Sequence, residues 1–186
     1  MKISVRNIVY MSLLIALTII LTRITSIHLV FGGVEYARIG FGAFPVIFGS
    51  ILLGPKYGLI IGALGDVIGY HLNPMGPYLP HFTLIAALNG LLPGLLFKLL
   101  RYKTDLGRFI LIIAITQILC SALLTPYTLW ALFKIPLIVT MPQRLITLLI
   151  TVPAFAYLSR VLYIRLSCIL NLQPPQTQYV RRKVSA

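Results

Sequence analysis

The chain has 186 residues, of which 59% are hydrophobic and 10% charged, and its formal net charge is +13. Soluble domains carry about 25% charged residues, so this composition excludes a soluble fold and, despite the basic balance, a nucleic-acid-binding protein. A membrane-spanning helix uses about 20 apolar residues, so several spans account for nearly the whole chain and leave no room for a second, water-soluble domain.

Apolar runs separated by polar residues, glycine or proline predict an all-α polytopic membrane protein with six transmembrane helices. They cover approximately Ile8–Ile27, Ile39–Leu53, Tyr57–Tyr70, Phe82–Leu100, Phe109–Leu132 and Leu145–Ile164. Lys2 and Arg6 precede the first run as in a signal peptide, but no small-residue cleavage site follows, so we expect a retained helix. The six helices form one domain over residues 1–170, and residues 171–186 form a flexible basic cytoplasmic tail that can touch anionic lipid.

The distribution of Lys and Arg decides between six spans and five. Only Gly54-Pro55-Lys56 separates the second and third runs, and fusing them would give a five-span chain. With six spans and a cytoplasmic N-terminus, 12 of the 16 basic residues lie inside and 4 outside, as the positive-inside bias requires. Five spans would place Arg101, Lys103 and Arg108 outside. We therefore expect six spans with both termini in the cytoplasm.

The third run carries small residues at helical spacing. Gly58, Gly62, Gly65 and Gly69 form two overlapping small-xxx-small patterns. Small residues let helices approach closely in lipid, where the hydrophobic effect does not drive helices together. This pattern predicts close packing of the third helix against its neighbours.

Asp66 lies about ten residues into the third run, between the membrane midplane and the outer surface. A carboxylate at that depth costs several kcal/mol by most estimates, and such a residue is by default a candidate functional site. The alternative is a structural pair with an Arg or Tyr of a neighbouring helix.

Polar, aromatic and basic residues gather around Asp66 at the outer ends of the helices. The candidate substrate-binding residues are Asp66, Arg38, His71, Tyr78, His81, Asn89, Tyr127, Trp130, Lys134, Gln143 and Arg144. An aromatic belt with interfacial anchors explains Tyr127 and Trp130 alone. It does not explain why the four external cations lie at helix ends beside an intramembrane acid.

A pocket of this composition suits a flat heterocycle with adjacent N–H donors and an anionic tail. Asp66 is expected to accept paired hydrogen bonds from the ring, because bonds to a charged acceptor are strong. Aromatic side chains would sandwich the ring. Arg38, Lys134 or Arg144 would hold carboxylates of the tail.

The sequence offers no catalytic or metal site. It lacks a Gly-x-x-x-x-Gly-Lys-Ser/Thr phosphate loop and a Gly-x-Ser-x-Gly nucleophile turn. His28, His71 and His81 have no tight metal-ligand spacing, and Cys120 and Cys168 lie in apolar runs as packing thiols. We therefore expect no catalytic residue, no metal and no cofactor in this chain.

Four motifs together carry a family resemblance. They are Arg38-Ile-Gly-Phe-Gly-Ala-Phe-Pro45, Leu53-Gly-Pro-Lys-Tyr-Gly58, Gly65-Asp66 and Asn73-Pro-Met-Gly-Pro-Tyr78. In this combination the chain resembles the folate-specific S components of energy-coupling factor (ECF) vitamin transporters, over most of residues 6–165. These are substrate-binding subunits without chemistry of their own.

The resemblance implies a multi-pass protein of the bacterial cell membrane that binds folate outside. It would then dock on two ECF ATPase subunits, which use the ATP, and a transmembrane coupling subunit, and topple in the membrane to deliver its cargo. The segment of residues 26–37 would act as a lid. The family's small docking face on the first helix would correspond to Ser12-Leu-Leu-Ile-Ala16, where Ser12 replaces the usual Ala.

Two other functions stay open on the sequence. One is an S component for a different vitamin or modified base, although Arg38 and Arg144 disfavour a cationic ligand such as thiamine. The other is a small intramembrane enzyme that uses Asp66 with His71 or His81 as acid and base. No residue spacing favours the second.

Overall fold

Apolar helices and one short β-hairpin build the described part of the chain. The computed structural model describes residues 5–23, 27–31, 34–72, 78–100, 105–134 and 137–169. The elements are α1 (Val5–Arg23), β1 (Ile27–Phe31), β2 (Val34–Ile39), α2 (Ala43–Leu53), α3 (Pro55–Leu72), α4 (Pro80–Leu99), α5 (Leu106–Gln117), α6 (Thr125–Phe133) and α7 (Leu137–Ile169). A π-helix, Ile118–Leu124, joins α5 to α6.

The chain is a predominantly helical membrane protein, as its composition predicts. Within the described residues, four helical segments are long and apolar enough to cross a membrane: Val5–Thr22, Pro80–Leu99, Leu106–Ala131 and Arg144–Leu166. The helix α2 is a shorter apolar helix of 11 residues. The third predicted span corresponds to α3, which begins at Pro55 directly after Gly54. Gly54 breaks the run with a φ of 107°, a conformation that glycine adopts without steric cost.

The β-hairpin between α1 and α2 was not predicted. Its two strands pair antiparallel from Ile27 opposite Ile39 to Phe31 opposite Val34, and β2 lies beside α7. The predicted first and second spans ended and began at Ile27 and Ile39, but both residues are in strands. The all-α prediction therefore holds for the helices and omits this hairpin, whose β-branched residues favour extended backbone.

The core lies where α2, α4, α5 and α7 meet. Aromatic rings of Phe97, Phe109 and Tyr163 pack with centroids 5.3 to 6.2 Å apart, and Phe44 lies 5.8 Å from Phe155. Each such pair contributes about 0.5–1.5 kcal/mol beyond the area it buries. The buried apolar cluster comprises Leu14, Phe44, Val46, Ile47, Phe48, Ile51, Ile61, Phe97, Phe109, Ile112, Ile113, Phe155, Ala156 and Tyr163.

The helices α3 and α4 touch backbone to backbone along a glycine seam, which we define as Gly58 and Gly62 of α3 with Ala86 and Gly90 of α4. A methyl group added at Gly58 would overlap the carbonyl oxygen of Gly90, and one added at Gly62 would overlap that of Ala86. The close packing predicted from the glycine spacing is therefore confirmed. Gly65 belongs to a different contact, because its nearest neighbour is Thr18 of α1.

Candidate substrate-binding site

A cavity of about 210 Å³ opens between α2, α4, α7 and the run from α5 to α6. Its lining residues are Gly40, Ala43, Ile85, Asn89, Gln117, Cys120, Ser121, Thr125, Thr147, Leu148, Thr151 and Phe155. Half of this wall consists of amide and hydroxyl side chains, and none of these lining residues is charged. Such a surface suits an uncharged polar ring rather than an ion.

Four-residue spacing places the polar side chains on the cavity wall. Gln117, Ser121 and Thr125 follow one another at intervals of four, as do Thr147 and Thr151 on α7. Residues four apart share one face of a helix. The π-helix lies within the first of these series, and such segments are frequent at functional sites because they interrupt the regular helical ladder.

Asn89 presents a buried acceptor on the α4 side of the cavity. Its Oδ1 atom has no hydrogen-bond partner among the described residues. A buried polar atom left unpaired costs about 1–3 kcal/mol, so a bound donor would recover that energy. The backbone is also irregular here, because Pro93 has no N–H to donate to the carbonyl of Asn89.

Arg144 places a positive charge beside the cavity wall. Its Nη1 atom donates to the backbone oxygen of Ser121 at 3.3 Å and contacts the Ser121 hydroxyl at 3.5 Å. Its Nε atom is buried and has no partner among the described residues. Arg144 begins the apolar segment Arg144–Leu166, and a buried guanidinium nitrogen without a partner is costly, which makes it a candidate binding group. The guanidinium is suited to a carboxylate, which it can bind through paired N–H groups.

Asp66 lies in a separate cluster, one helical turn beyond Gly62 of the glycine seam. Asp66 is four residues after Gly62, as Gly62 is four residues after Gly58, so all three lie on the face of α3 that contacts α4. Its Oδ2 atom accepts a hydrogen bond of 2.7 Å from Thr83, and the Thr83 hydroxyl lies 2.9 Å from that of Tyr78. Neither Asp66 nor its two partners line the cavity described above.

Comparison with known proteins identifies the kind of molecule that carries this cavity. Residues 2–160 match a family model described as "ECF-type riboflavin transporter, S component". The chain belongs to the S-component family of ECF-type transporters. As an S component it is a transporter subunit and not an enzyme.

The names of one relative and one solved structure mention folate or folic acid. The S component is 35% identical over 127 residues to the protein named "Folate transporter FolT" from Clostridium novyi (strain NT), covering 68% of this chain and 69% of the relative. It also matches the solved structure titled "Crystal structure of FolT bound with folic acid" with a TM-score of 0.74 and 26% identity. That match covers 87% of this chain and 94% of the other.

Two of the other predicted residues stand on the outer surface of this S component. Tyr127 is 62% exposed and Trp130 45% exposed, and their ring centroids are 6.1 Å apart. The Nζ atom of Lys134 lies 5.6 Å from the Trp130 centroid, a cation–π distance. This group has the composition of an interfacial anchor, which was the alternative for the two aromatic residues.

The predicted histidines are exposed at the ends of α3 and α4. Nδ1 of His71 lies 2.8 Å from the carbonyl oxygen of Val67, and His81 is in the first turn of α4. Tyr78 precedes α4 and packs on Tyr70 with ring centroids 5.1 Å apart. Within the described ranges, no group of three His, Cys, Asp or Glu side chains is placed to hold a metal ion.

Several predictions fall on parts that the structure does not describe. The Arg38 backbone pairs with His28 in the hairpin, but its side chain and that of Gln143 lie outside the described residues. The loop of residues 73–77, parts of the predicted lid at 26–37 and the tail at 171–186 also lie outside them. Ser12 and Ala16, the predicted docking pair, are both exposed on α1.

Among the predicted residues, Asn89 lines the cavity, Arg144 bonds to Ser121 of its wall, and Asp66 is not part of the lining. Gln117, Thr125 and Thr151 line the cavity and were not predicted as site residues. Their spacing was the available indication, because polar side chains four apart in an apolar run mark one polar helix face. That face can be attributed to a cavity only when the neighbouring helices are known.

Proposed function

We propose that this S component binds folate with high affinity and delivers it by docking on a separate module. That module would contain two ECF ATPase subunits, which use the ATP, and a transmembrane coupling subunit. The proposal is supported by the relative named as a folate transporter and by the neighbour bound with folic acid. The observation that carries the ligand assignment is an uncharged polar cavity with the Arg144 guanidinium beside its wall.

Folate consists of an uncharged ring and an anionic tail, and the site consists of an uncharged polar cavity and a cation beside it. The pterin ring of folate is uncharged and carries adjacent N–H donors. The amide oxygen of Asn89 can accept a hydrogen bond from such a donor. The glutamate tail of folate is anionic, and Arg144 can bind a carboxylate. The cavity of about 210 Å³ is smaller than the roughly 300–1,000 Å³ typical of ligand pockets, so we assign it to the ring and leave the tail at the rim.

Riboflavin is the second candidate, because the matching family model is named for it. Its isoalloxazine ring is also flat and uncharged and would enter a cavity of the same kind. It has no carboxylate, however, and would leave Arg144 without an anionic partner. The charge of the ligand therefore separates the two candidates.

We also propose the membrane arrangement expected from the sequence. Six spans, formed by α1, α2, α3, α4, the run from α5 to α6, and α7, would cross the bacterial cell membrane with both termini in the cytoplasm. Residues 1–170 would form the substrate-binding domain and residues 171–186 a basic cytoplasmic tail. The exposed face of α1 with Ser12 and Ala16 would meet the coupling subunit.

The remaining predicted residues would complete the site around the glutamate tail and the outer surface. Direct contact of Asp66 with the pterin stays a prediction, as do the roles of Arg38, His71, Tyr78, His81, Tyr127, Trp130, Lys134 and Gln143. Their positions at the outer helix ends are the support for this assignment.

A titration of the purified chain in detergent tests the ligand. Trp130 is the single tryptophan, so quenching of fluorescence excited selectively at tryptophan reports on one position of the chain. We expect saturable nanomolar binding of folate and much weaker binding of riboflavin. Arg144→Gln should weaken folate binding about tenfold to a hundredfold, because a hydrogen bond to a charged group contributes about 1.5–3 kcal/mol. It should leave riboflavin binding nearly unchanged.

Arg108→Gln is the matched control, since Arg108 pairs with Asp105 at 3.7 Å in the first turn of α5, away from the cavity. It should bind folate as the unmodified chain does. Nanomolar riboflavin binding without folate binding would overturn the folate assignment and keep the S-component family. Equal losses in both arginine variants would overturn the role of Arg144.

A further inference from the structure

Two threonine hydroxyls in the cavity wall can act only as acceptors toward a ligand. The hydroxyl of Thr125 donates to the carbonyl oxygen of Cys120, and that of Thr151 donates to the carbonyl oxygen of Thr147, each at 2.8 Å. A hydroxyl has one hydrogen and two lone pairs. Since both hydrogens are committed to helix carbonyls, the two oxygens present lone pairs to the cavity they line.

A third acceptor lines the same cavity from α4. The Oδ1 atom of Asn89 on α4 is buried and has no partner among the described residues. The cavity thus receives acceptor oxygens from α4, from the first residue of α6 and from α7. Buried acceptors favour a ligand that offers a matching N–H to each, because an unmatched one keeps its desolvation cost.

We infer that Asn89, Thr125 and Thr151 are specificity-determining residues that select a ring by the N–H groups on its edges. The inference rests on the proposed folate-binding function and deepens it. It ranks three ligands: tetrahydrofolate binds most tightly, oxidised folate next, and riboflavin least.

The ranking follows from the chemistry of the rings. A pterin carries an amino group next to a ring N–H, whereas the isoalloxazine of riboflavin has a single ring N–H flanked by carbonyl groups. The tetrahydropterin adds N–H groups at positions where the oxidised ring has bare lone pairs. Opposite Thr125 or Thr151 those lone pairs would meet the lone pairs of a hydroxyl oxygen, while the added N–H groups can donate to that oxygen.

Competitive binding to the full chain in detergent, under argon, tests this inference. We expect tetrahydrofolate to bind roughly threefold to tenfold more tightly than folate, the range that one additional hydrogen bond supplies. Thr125→Val and Thr151→Val are measured separately, and the variant that removes the acceptor of the added N–H should lose most of that preference. Thr151→Ser keeps the hydroxyl and should keep the preference.

Thr128→Val is the matched control for the threonine variants. Thr128 is buried and makes the same kind of bond, to the carbonyl oxygen of Leu124 at 2.7 Å, but does not line the cavity. It should keep the full preference. Circular dichroism melting of each variant establishes that it is folded. The ranking of the three ligands is measured on the unmodified chain and therefore does not depend on the folding of any variant.

The outcomes separate the two proposals. If folate binds at nanomolar concentration and tetrahydrofolate no more tightly, the donor selection is overturned and folate binding stands. If neither pterin binds to folded protein, the proposed function fails and the inference fails with it. If the Thr128 variant loses the preference as the Thr125 or Thr151 variant does, the lining hydroxyls do not select the ligand.

Discussion

The glycine seam and the cavity lie on two faces of the same helix, α4, and are built in opposite ways. On the seam, Ala86 and Gly90 meet α3 with their backbones and no side chain intervenes. On the cavity face, Ile85 and Asn89 stand back from α5 and α7, and polar side chains surround the space between. The first face leaves no room for a methyl group, and the second leaves room for a ring.

This contrast shows how one helix can serve both stability and binding. In lipid, helices associate through van der Waals contact and hydrogen bonds, and small residues permit the closest contact. Ser50 of α2 adds a buried hydrogen bond of 2.9 Å from the N–H of Gly94. The seam thus fixes the position of α4, so the unpaired oxygen of Asn89 is held at the cavity despite its cost.

Filling the seam should have the largest effect. Gly62→Ala places a methyl group against the carbonyl oxygen of Ala86, and neither backbone can move without separating α3 from α4. We expect the free energy of unfolding in detergent to fall by about 3 kcal/mol, at the upper end of the range for overpacked cores. Thermal or denaturant unfolding followed by circular dichroism measures it.

Gly107→Ala is the control for the seam. Gly107 is exposed in the first turn of α5 and a methyl group there meets nothing within 4 Å. Because glycine in a helix is about 0.5–1 kcal/mol less favourable than alanine, this variant should be unchanged or slightly more stable. Equal stability of the two variants would show that α3 and α4 are not in backbone contact.

Removing the polar group of the cavity should have an intermediate effect of opposite sign. Asn89→Leu replaces an unpaired buried amide with an apolar group of similar size. We expect the ligand-free protein to gain about 1 kcal/mol of stability while its affinity for folate falls about tenfold. Unfolding and titration of the same sample give both numbers.

Asn7→Leu is the comparison for this variant, because the Asn7 amide donates to the Tyr57 hydroxyl at 3.3 Å between α1 and α3. It should lose stability and keep its folate affinity. If Asn89→Leu instead destabilises the ligand-free chain, its amide has a structural partner and the cavity face resembles the seam more than we describe.

The Asp66 end of the seam should give the smallest difference, which is measured between two variants of one hydrogen-bonded cluster. If Asp66 contacts the ligand, Asp66→Asn weakens folate binding about tenfold, as loss of a charged acceptor does, and leaves the protein folded. Thr83→Val removes only the hydrogen bonds to Asp66 and Tyr78 and should weaken binding about threefold or less. Titration of both variants separates the two cases.

Two results would revise this view of Asp66. Normal folate binding by Asp66→Asn would show that the carboxylate is a structural partner of Thr83 at the end of the seam. Equal losses in both variants would show that Asp66 acts by positioning Thr83 and Tyr78 rather than by touching the ligand. In either case the cavity between α4 and α7 would remain the site to examine.

The sequence predicted the helices and the seam because each rests on local pattern. Apolar runs set the order of the helices, and the spacing of Gly58 and Gly62 indicated a close neighbour. The hairpin is different, since Ile27–Phe31 and Val34–Ile39 are apolar enough at their ends to extend the predicted spans. Strand pairing depends on the partner segment, which composition does not reveal.

The roles of the predicted site residues stay predictions, and the described cavity does not include Asp66 among its lining residues. Asp66 was selected as a candidate ligand contact because acidic residues are rare in membrane helices. In the structure it accepts a hydrogen bond from Thr83, whose hydroxyl also contacts that of Tyr78. Gln117 and Thr151 stood out less, because single uncharged polar residues are common in membrane helices. Their importance comes from the π-helix and from the rotation of α7, and both depend on packing between helices.

Cys120 gives the cavity a built-in reporter. Its thiol is buried, with 2% of the residue exposed, and it lines the wall beside Ser121. Because so little of the residue is exposed, a small alkylating reagent should label it slowly, and faster whenever the helices around the cavity separate. In a variant with Cys168 replaced, the labelling rate of Cys120 would measure how often the site opens in an intact membrane. No reporter group would have to be introduced into the cavity wall.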